Sequence, residues 1–171
     1  MNCDTCDMAM RERKATRQKP YRYDLSGLSN VSLVGITMHT CPQCGGEVPV
    51  IPRIAELHDV LARSLIQKPT LLNGEEIRFL RKHEGFPAQK FAALLGITPE
   101  HLSRVENGHT SNLGTSADRL ARAIATIAKD GEAAREVLLQ IAEQLAEPQR
   151  PVQSPRSYFL KLEQQHWKAA A

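Results

Sequence analysis

The sequence has few aromatic residues and no long apolar run. Phenylalanine, tryptophan and tyrosine make up 5% of its 171 residues, which argues against a large aromatic-lined pocket. No apolar stretch approaches the roughly 18 residues that cross a bilayer, so the sequence predicts no membrane span. The N-terminal segment MNCDTCDMAMRERK lacks the apolar core of a secretory signal peptide. These absences predict a cytoplasmic protein.

The chain also lacks a strong excess of either charge. Its 22 basic and 19 acidic residues leave a formal net charge of +3, which is compatible with nucleic-acid binding but is shared by many enzymes. The positive charge is concentrated in Arg11–Arg22, RERKATRQKPYR, which holds six basic residues and one acid. This segment either contacts phosphate or an acidic partner, or is a solvated loop or hairpin.

Cysteine is scarce but concentrated. The four cysteines form two C-x-x-C pairs, Cys3 with Cys6 and Cys41 with Cys44. In a reducing compartment this spacing is typical of a metal site, and four thiolates fill the tetrahedral shell of zinc without leaving an open position. We therefore expect one structural Zn²⁺ per chain. A redox-active C-x-x-C and coincident free thiols are the alternatives.

Residues 1–52 are predicted to form the zinc-binding β module. Asn30–His39, NVSLVGITMH, is rich in β-branched residues, partly alternates and runs straight into Cys41. It predicts a short antiparallel sheet that carries the metal at its end. The following VPVIPR is interpreted as the exit from this module. A module of this size buries little apolar surface alone, and zinc would supply the missing folding energy.

The remainder of the chain is predicted to be helical. A connecting helix is expected within 53–69, five helices within 70–147, and a proline-containing linker and tail over 148–171. Asn73-Gly-Glu-Glu76 has the pattern of a capping box. The later helices are predicted from about residue 87 to Gly96, from Thr98 to Asn107, from Thr115 or Ser116 with Leu120, Ile124 and Ile127, and from Glu132 to Ala146. Residues 158–171 could form a short amphipathic helix. The predicted class is therefore α+β.

The central signal is AQKFAALLGITPEHLSRVENG, residues 88–108. Two short helices that cross steeply need a small residue at their contact, here Ala92, and glycine in the turn, here Gly96. Apolar residues that lock the second helix onto the first are also in place: Phe91, Leu95, Ile97, Leu102 and Val105. The pattern predicts a DNA-binding helix-turn-helix; a generic helical hairpin is the alternative.

In this interpretation Thr98–Asn107 is the recognition helix. Arg104 is the first candidate for base contact, since its guanidinium matches guanine O6 and N7. Glu106 is expected to point away from the groove and to pair with an Arg or Lys. The other candidates for base or phosphate contacts are Thr98, Glu100, His101, Ser103 and Asn107 on this helix, and Gln89, Lys90 and Asn112 outside it.

The order of these motifs resembles the MqsA antitoxins and the related YgiT-type zinc-finger and Xre-type helix-turn-helix regulators. The four cysteines, the strand before Cys41 and the run GITPEHLSRVENG carry the resemblance, which covers roughly residues 1–130. It implies structural zinc, a dimer on a palindromic operator, and an N-terminal domain able to neutralise a ribonuclease toxin. By position, Arg104 matches a base-reading arginine, whereas Glu100 stands where the family has an asparagine. Ala88 likewise replaces the usual glutamine.

Two functions follow from this pattern, and both are non-enzymatic. The first is a dimeric, sequence-specific transcriptional regulator of double-stranded DNA, with repression the expected direction. The second is an antitoxin that binds a toxin protein through residues 1–68 and regulates its own operon. An enzyme is not expected, because no Ser/His/Asp or paired-carboxylate set clusters in the sequence and His39 is the one histidine near the cysteines.

Overall fold

The computed structural model describes residues 1–129, 131–146, 160–163 and 166–169. Short strands come first and helices follow, which confirms the predicted α+β class. The strands are β1 Arg11–Lys14, β2 Tyr21–Arg22, β3 Ser32–Leu33, β4 Thr37–Thr40 and β5 Glu47–Val50, with β6 Leu160–Glu163 and β7 His166–Ala169 near the C-terminus. The helices are α1 Ile54–Ile66, α2 Gly74–His83, α3 Ala88–Leu95, α4 Pro99–Glu106, α5 Thr115–Ala128 and α6 Glu132–Ala146.

The N-terminal sheet is antiparallel in the order β1-β4-β5, and its central strand leads directly to Cys41. The predicted sheet with cysteines at its end is therefore present. Strand β5 falls mostly in VPVIPR, where the sequence indicated no strand, and β1 falls in the basic segment, for which a hairpin was one of the alternatives. Pro49 is tolerated in β5 because that strand is at the edge of the sheet, where a missing N–H costs no ladder bond. A second antiparallel pair joins β2 to β3.

The predicted capping box opens α2. Asn73 Oδ1 accepts a 3.0 Å hydrogen bond from the N–H of Glu76, and Glu76 Oε2 accepts a 2.8 Å bond from the N–H of Asn73. Lys68 Nζ also donates to both oxygens of the buried Glu76 carboxylate, at 2.9 and 2.8 Å. The start of α2 is thus fixed by charge-assisted bonds as well as by its cap.

One apolar core joins the helices to a loop of the N-terminal module. Its fully buried side chains include Leu72, Ile77, Leu80, Phe91, Leu102 and Val105. Leu28, from the loop between β2 and β3, is 2% exposed and belongs to the same core. Next to it, the N–H of Ser29 donates a 2.9 Å bond to Glu75 Oε2 on α2. The loop between β2 and β3 therefore inserts into the helical part of the protein.

The three large apolar residues of α5 divide between its two faces. Leu120 and Ile127 are 41% and 46% exposed. Ile124 is buried, and the neighbouring inward positions are alanines: Ala121, Ala125 and Ala128. Alanine lets the helix approach its neighbours closely, so the small side chains face the core and the larger ones face outward.

The C-terminal region also corrects the sequence interpretation. Where an amphipathic helix was expected over 158–171, the structure has strands β6 and β7 paired antiparallel, with Leu162 opposite Trp167. The predicted linker, 148–155, lies outside the described residues. Within the described part of the chain, no helix combines the length and apolarity that crossing a bilayer requires.

Candidate metal centre and nucleic-acid interface

The four cysteines meet at one point. Cys3 and Cys6 lie before β1, Cys41 and Cys44 lie after β4, and their four sulfurs are all within 4.8 Å of one another. The Sγ–Sγ distance is 3.5 Å between Cys3 and Cys44 and 3.3 Å between Cys6 and Cys41, without a disulfide. Four sulfurs about 2.3 Å from a tetrahedral zinc ion would be about 3.8 Å apart. The cluster therefore fits a four-thiolate metal site.

The backbone around the sulfurs favours thiolates. The N–H of Cys44 hydrogen-bonds to the Cys41 sulfur and is the main reason that the pKa of Cys41 falls to about 6. The N–H of Thr5 has the leading effect on Cys3, whose pKa is also lowered. The side-chain hydrogen bond to Cys41 raises the pKa of Cys6 to about 12, as expected when two close sulfurs share one proton. A divalent cation would remove that competition by binding both sulfurs as thiolates.

The turn between α3 and α4 has the geometry that the sequence predicted. Gly96 ends α3 in the left-handed region at φ 66°, and the N–H of Ile97 returns to the carbonyl of Ala92 at 3.1 Å. This is the Schellman arrangement, which glycine adopts without a steric penalty. Ala92 is fully buried where the helices meet. The predicted locking residues Phe91, Leu95, Leu102 and Val105 are buried, and Ile97 packs against the core.

The outward face of α4 is polar and accessible. Glu100, Ser103 and Arg104 are exposed, and His101 is half-buried. Thr98 is exposed as the N-cap of α4, and its Oγ1 accepts a 3.2 Å bond from the N–H of His101. The hydroxyl hydrogen of such a capping threonine stays available to a phosphate oxygen. These residues share one surface, and their contacts with DNA remain predictions.

The remaining candidates for DNA contact differ in how far their side chains are already bound within the protein. Lys90 forms an ion pair with Glu143 on α6, so its ammonium is already partnered within the protein. Gln89 is exposed at the start of α3. Asn112 Oδ1 accepts a 2.9 Å bond from the N–H of Gly114. Asn107 ends α4, and its Nδ2 donates to Ser103 Oγ at 3.2 Å. Gln89 is the freest of these four for a phosphate.

Sequence reasoning did not identify the partners of Glu106. As expected, Glu106 points inward and is 8% exposed; Arg81 on α2 binds both its oxygens, at 2.6 and 2.8 Å. Arg78, one turn earlier, donates to the carbonyl oxygen of Glu106 and, at 2.6 Å, to Asn107 Oδ1. The spacing of Arg78 and Arg81 on one helix was the available signal, but Arg81 and Glu106 are 25 positions apart in the sequence, so the pairing had no local pattern.

The comparisons with known proteins agree with this local geometry. A family model described as helix-turn-helix matches residues 77–126, which extend from α2 into α5. No curated protein and no solved structure matches the chain. Residues 77–126 are therefore similar to the DNA-binding helix-turn-helix domains, and the four-cysteine cluster precedes them in the chain.

Proposed function

We propose that the protein is a sequence-specific transcriptional regulator that acts in the cytoplasm without enzymatic activity. The observation that carries the proposal is that α4, in a segment that matches the helix-turn-helix family, has one face packed against the protein and the opposite face exposed. Its inner face is locked by Leu102, Val105 and Glu106, and its outer face presents Ser103 and Arg104. A helix held this way can enter the major groove without rearrangement.

The protein acts as a homodimer on a palindromic operator. The exposed apolar residues Leu120 and Ile127 on α5, with the exposed Ala123 between them, support this, because they form a self-complementary stripe on one face of a helix. Two recognition helices would then enter successive major grooves about 34 Å apart. Binding in that position would compete with transcription, so repression is the expected effect.

The four-cysteine cluster holds a structural zinc ion in this proposal. Cys3, Cys6, Cys41 and Cys44 would occupy all four tetrahedral positions, and the bound ion would supply folding energy to the short strands. Backbone N–H groups lower the pKa values of Cys3 and Cys41, which supports thiolate ligation by these two, whereas hydrogen bonds between the sulfurs raise the pKa values of Cys6 and Cys44 until a cation binds. Because the shell would be complete, a substrate would have no open position on the ion.

An antitoxin of the MqsA type is the second candidate. Leu25 and Val34, on the N-terminal module, are 80% and 51% exposed, and large exposed apolar side chains favour a protein partner. A toxin would bind this module while the helix-turn-helix binds the operator. Co-purification of a ribonuclease from the source cells would support this function, whereas DNA binding alone is common to both candidates.

The experiment that tests the proposal is a binding selection from random duplex DNA with the zinc-loaded protein at near-physiological salt. An enriched palindrome with half-sites about one helical turn apart would support a dimeric sequence-specific regulator. Weak, salt-sensitive binding without an enriched sequence would contradict it, since phosphate contacts alone produce that behaviour.

A further inference from the structure

A cleft lies between the N-terminal module and the helices, away from the outer face of α4. It has a volume of about 200 Å³ and is bounded by Ser26 and Gly27 on one side and by residues of α1 and α2 on the other. This is smaller than the roughly 300–1,000 Å³ of sites for drug-sized ligands, so it suits a molecule with a single ring.

The wall of the cleft is aromatic. Phe79 and His83 lie one turn apart on α2, with ring centroids 5.8 Å apart and planes within 8° of parallel. His58 on α1 meets Phe79 edge-on at 5.7 Å and is held from the other side by the hydroxyl of Tyr23, 2.9 Å from its Nε2. The rings of Phe79, His58 and His83 therefore line one small cleft together. Such a surface favours a planar ring by stacking and edge contacts.

The rim of the cleft carries positive charge. Arg78 and Lys82 lie one turn apart on α2, beside the aromatic stripe, and both line the cleft. Glu75 is the single acidic residue among the lining residues, and its pKa is lowered by the hydrogen bonds from Ser29, so it stays ionised. Burial lowers the pKa of His58, which keeps that ring neutral. Arg78 lies beside this carboxylate and its Nε is also 3.7 Å from Glu106 Oε2, so the charge left for a ligand is that of Lys82, which favours a monoanion.

Lys82 is available to such an anion. It is exposed, and in the described part of the chain no carboxylate lies within ion-pair distance of its ammonium. Arg78 also retains guanidinium hydrogens beyond those it gives to the end of α4. A carboxylate placed between these two side chains would receive charge-assisted hydrogen bonds from both.

We propose that this cleft binds a single-ring aromatic carboxylate, with the ring against Phe79, His58 and His83 and the carboxylate on Lys82 and Arg78. The ligand also acts on DNA binding, which rests on the proposed function. Arg78 is the link, since the same guanidinium holds the carbonyl of Glu106 and the side chain of Asn107 at the end of the recognition helix. A bound carboxylate draws Arg78 toward the cleft, loosens that end of α4 and weakens operator affinity.

Binding is tested first, without DNA, by titrating benzoate into the zinc-loaded full chain and following amide resonances. Benzoate should produce saturable shifts at Gly27, Phe79 and Lys82, and its neutral isostere benzamide should bind about tenfold more weakly, because it loses the charge-assisted bonds. Cyclohexanecarboxylate should also bind more weakly, since it keeps the charge but loses the aromatic contacts. Equal affinities for benzoate and benzamide, or no saturable shifts with benzoate, would overturn the proposal.

Variants locate the site. Lys82→Gln should weaken benzoate binding about fivefold to tenfold, Lys82→Arg should retain it, and Arg17→Gln, which removes an exposed positive charge outside the cleft, should leave it unchanged. Loss of binding in Arg17→Gln, or full binding in Lys82→Gln, would contradict the assignment.

The effect on DNA is measured separately, on the palindrome recovered by selection. Saturating benzoate should raise the operator Kd severalfold, and Lys82→Gln should need correspondingly more benzoate. An unchanged Kd with benzoate bound would overturn the regulatory part alone. A protein that binds benzoate but no DNA sequence would refute the proposed function and leave the site standing.

Discussion

Asp118 and Arg122 lie one turn apart on α5, and the Asp118 carboxylate accepts a 2.8 Å hydrogen bond from Arg122 Nε. The other oxygen of Asp118 accepts a 2.7 Å bond from the N–H of Leu72. The rest of the guanidinium donates to four backbone carbonyls at and beyond the end of α1, those of Leu65, Ile66, Lys68 and Thr70. One buried ion pair thus fixes the connection between α1 and α2.

Arg122→Ala should therefore lower the free energy of unfolding by about 3 kcal/mol, because it leaves the buried carboxylate of Asp118 without its charge partner. Urea denaturation measures the change. Arg119→Ala, an exposed position on the same helix, should stay within about 0.5 kcal/mol of the parent. Equal midpoints for Arg122→Ala and the parent would show that the network contributes nothing to stability.

Gly74→Ala should destabilise the fold although alanine is the better helix former. A Cβ at position 74 would overlap the carbonyl oxygen of Val105 and lie 2.9 Å from its carbonyl carbon. The gain in helix propensity is at most about 1 kcal/mol, whereas forcing two backbones apart in a packed core costs about 1–3 kcal/mol.

We expect a net loss of about 1–2 kcal/mol for Gly74→Ala, read from thermal unfolding. Thr115→Ala, in the exposed first turn of α5, is the matched control and should be close to neutral. A Gly74→Ala protein that is more stable than the parent would mean that α2 and α4 do not approach each other so closely.

Arg104→Ala should weaken operator binding by about 1–3 kcal/mol and relax discrimination at one base position, without changing the melting temperature. The side chain is exposed on α4, so its loss removes no packing. A competition assay against operators mutated one position at a time reads both effects. Arg63→Ala removes an exposed arginine on α1 and serves as the control. Full affinity in Arg104→Ala would reject the assignment of α4 as the base-reading helix.

Removal of the metal should destabilise the helices as well as the strands. Leu28 and Ser29 are placed by the N-terminal module, yet Leu28 is buried in the core with α2 and Ser29 binds Glu75. Chelation should therefore lower the melting temperature measured by helical circular dichroism, with metal release followed by a colorimetric dye.

Leu28→Ala, with zinc retained, isolates the packing contribution and should cost about 2–4 kcal/mol, as for other buried leucines. If the helical signal melts at the same temperature with and without metal, the two parts fold independently and the inserted loop contributes little.

If the proposed dimer forms through α5, Leu120→Glu combined with Ile127→Glu should make the protein monomeric while leaving the fold intact, because both side chains are exposed in the isolated chain. Burying two carboxylates in an apolar interface is strongly unfavourable. Sedimentation velocity measures the mass, and Ser64→Glu on α1 is the charge control. A dimer that survives the double substitution would place the interface elsewhere.

The helix-turn-helix could be predicted because its determinants are local. Ala92, Gly96 and Thr98 act within a few residues of one another, through contact size, a left-handed turn and an N-cap. The cysteine cluster was also predictable, since C-x-x-C spacing sets which sulfurs can share an ion even when 34 residues separate the pairs. Both signals are independent of how the rest of the chain packs.

The missed features depend on packing between distant segments. Arg11–Lys14 has no apolar alternation, yet it forms β1 because β4 offers a free edge. On α5, periodicity alone did not distinguish the leucine and isoleucine face from the alanine face, and the close approach of neighbouring helices selects alanine. The partner of Glu106 likewise comes from another helix, and the Leu72 N–H that binds Asp118 comes from the connection between α1 and α2. Of these contacts, only the Asp118–Arg122 pair, four residues apart on α5, follows a local spacing.

The anchoring of α4 has a consequence for how this protein could change its target during evolution. Arg81, Leu102 and Val105 secure the helix from its inner side. Substitutions at Glu100, Ser103 and Arg104 therefore face little selection from folding. New operator preferences can accumulate at these positions one at a time, and each intermediate remains a folded protein on which selection can act.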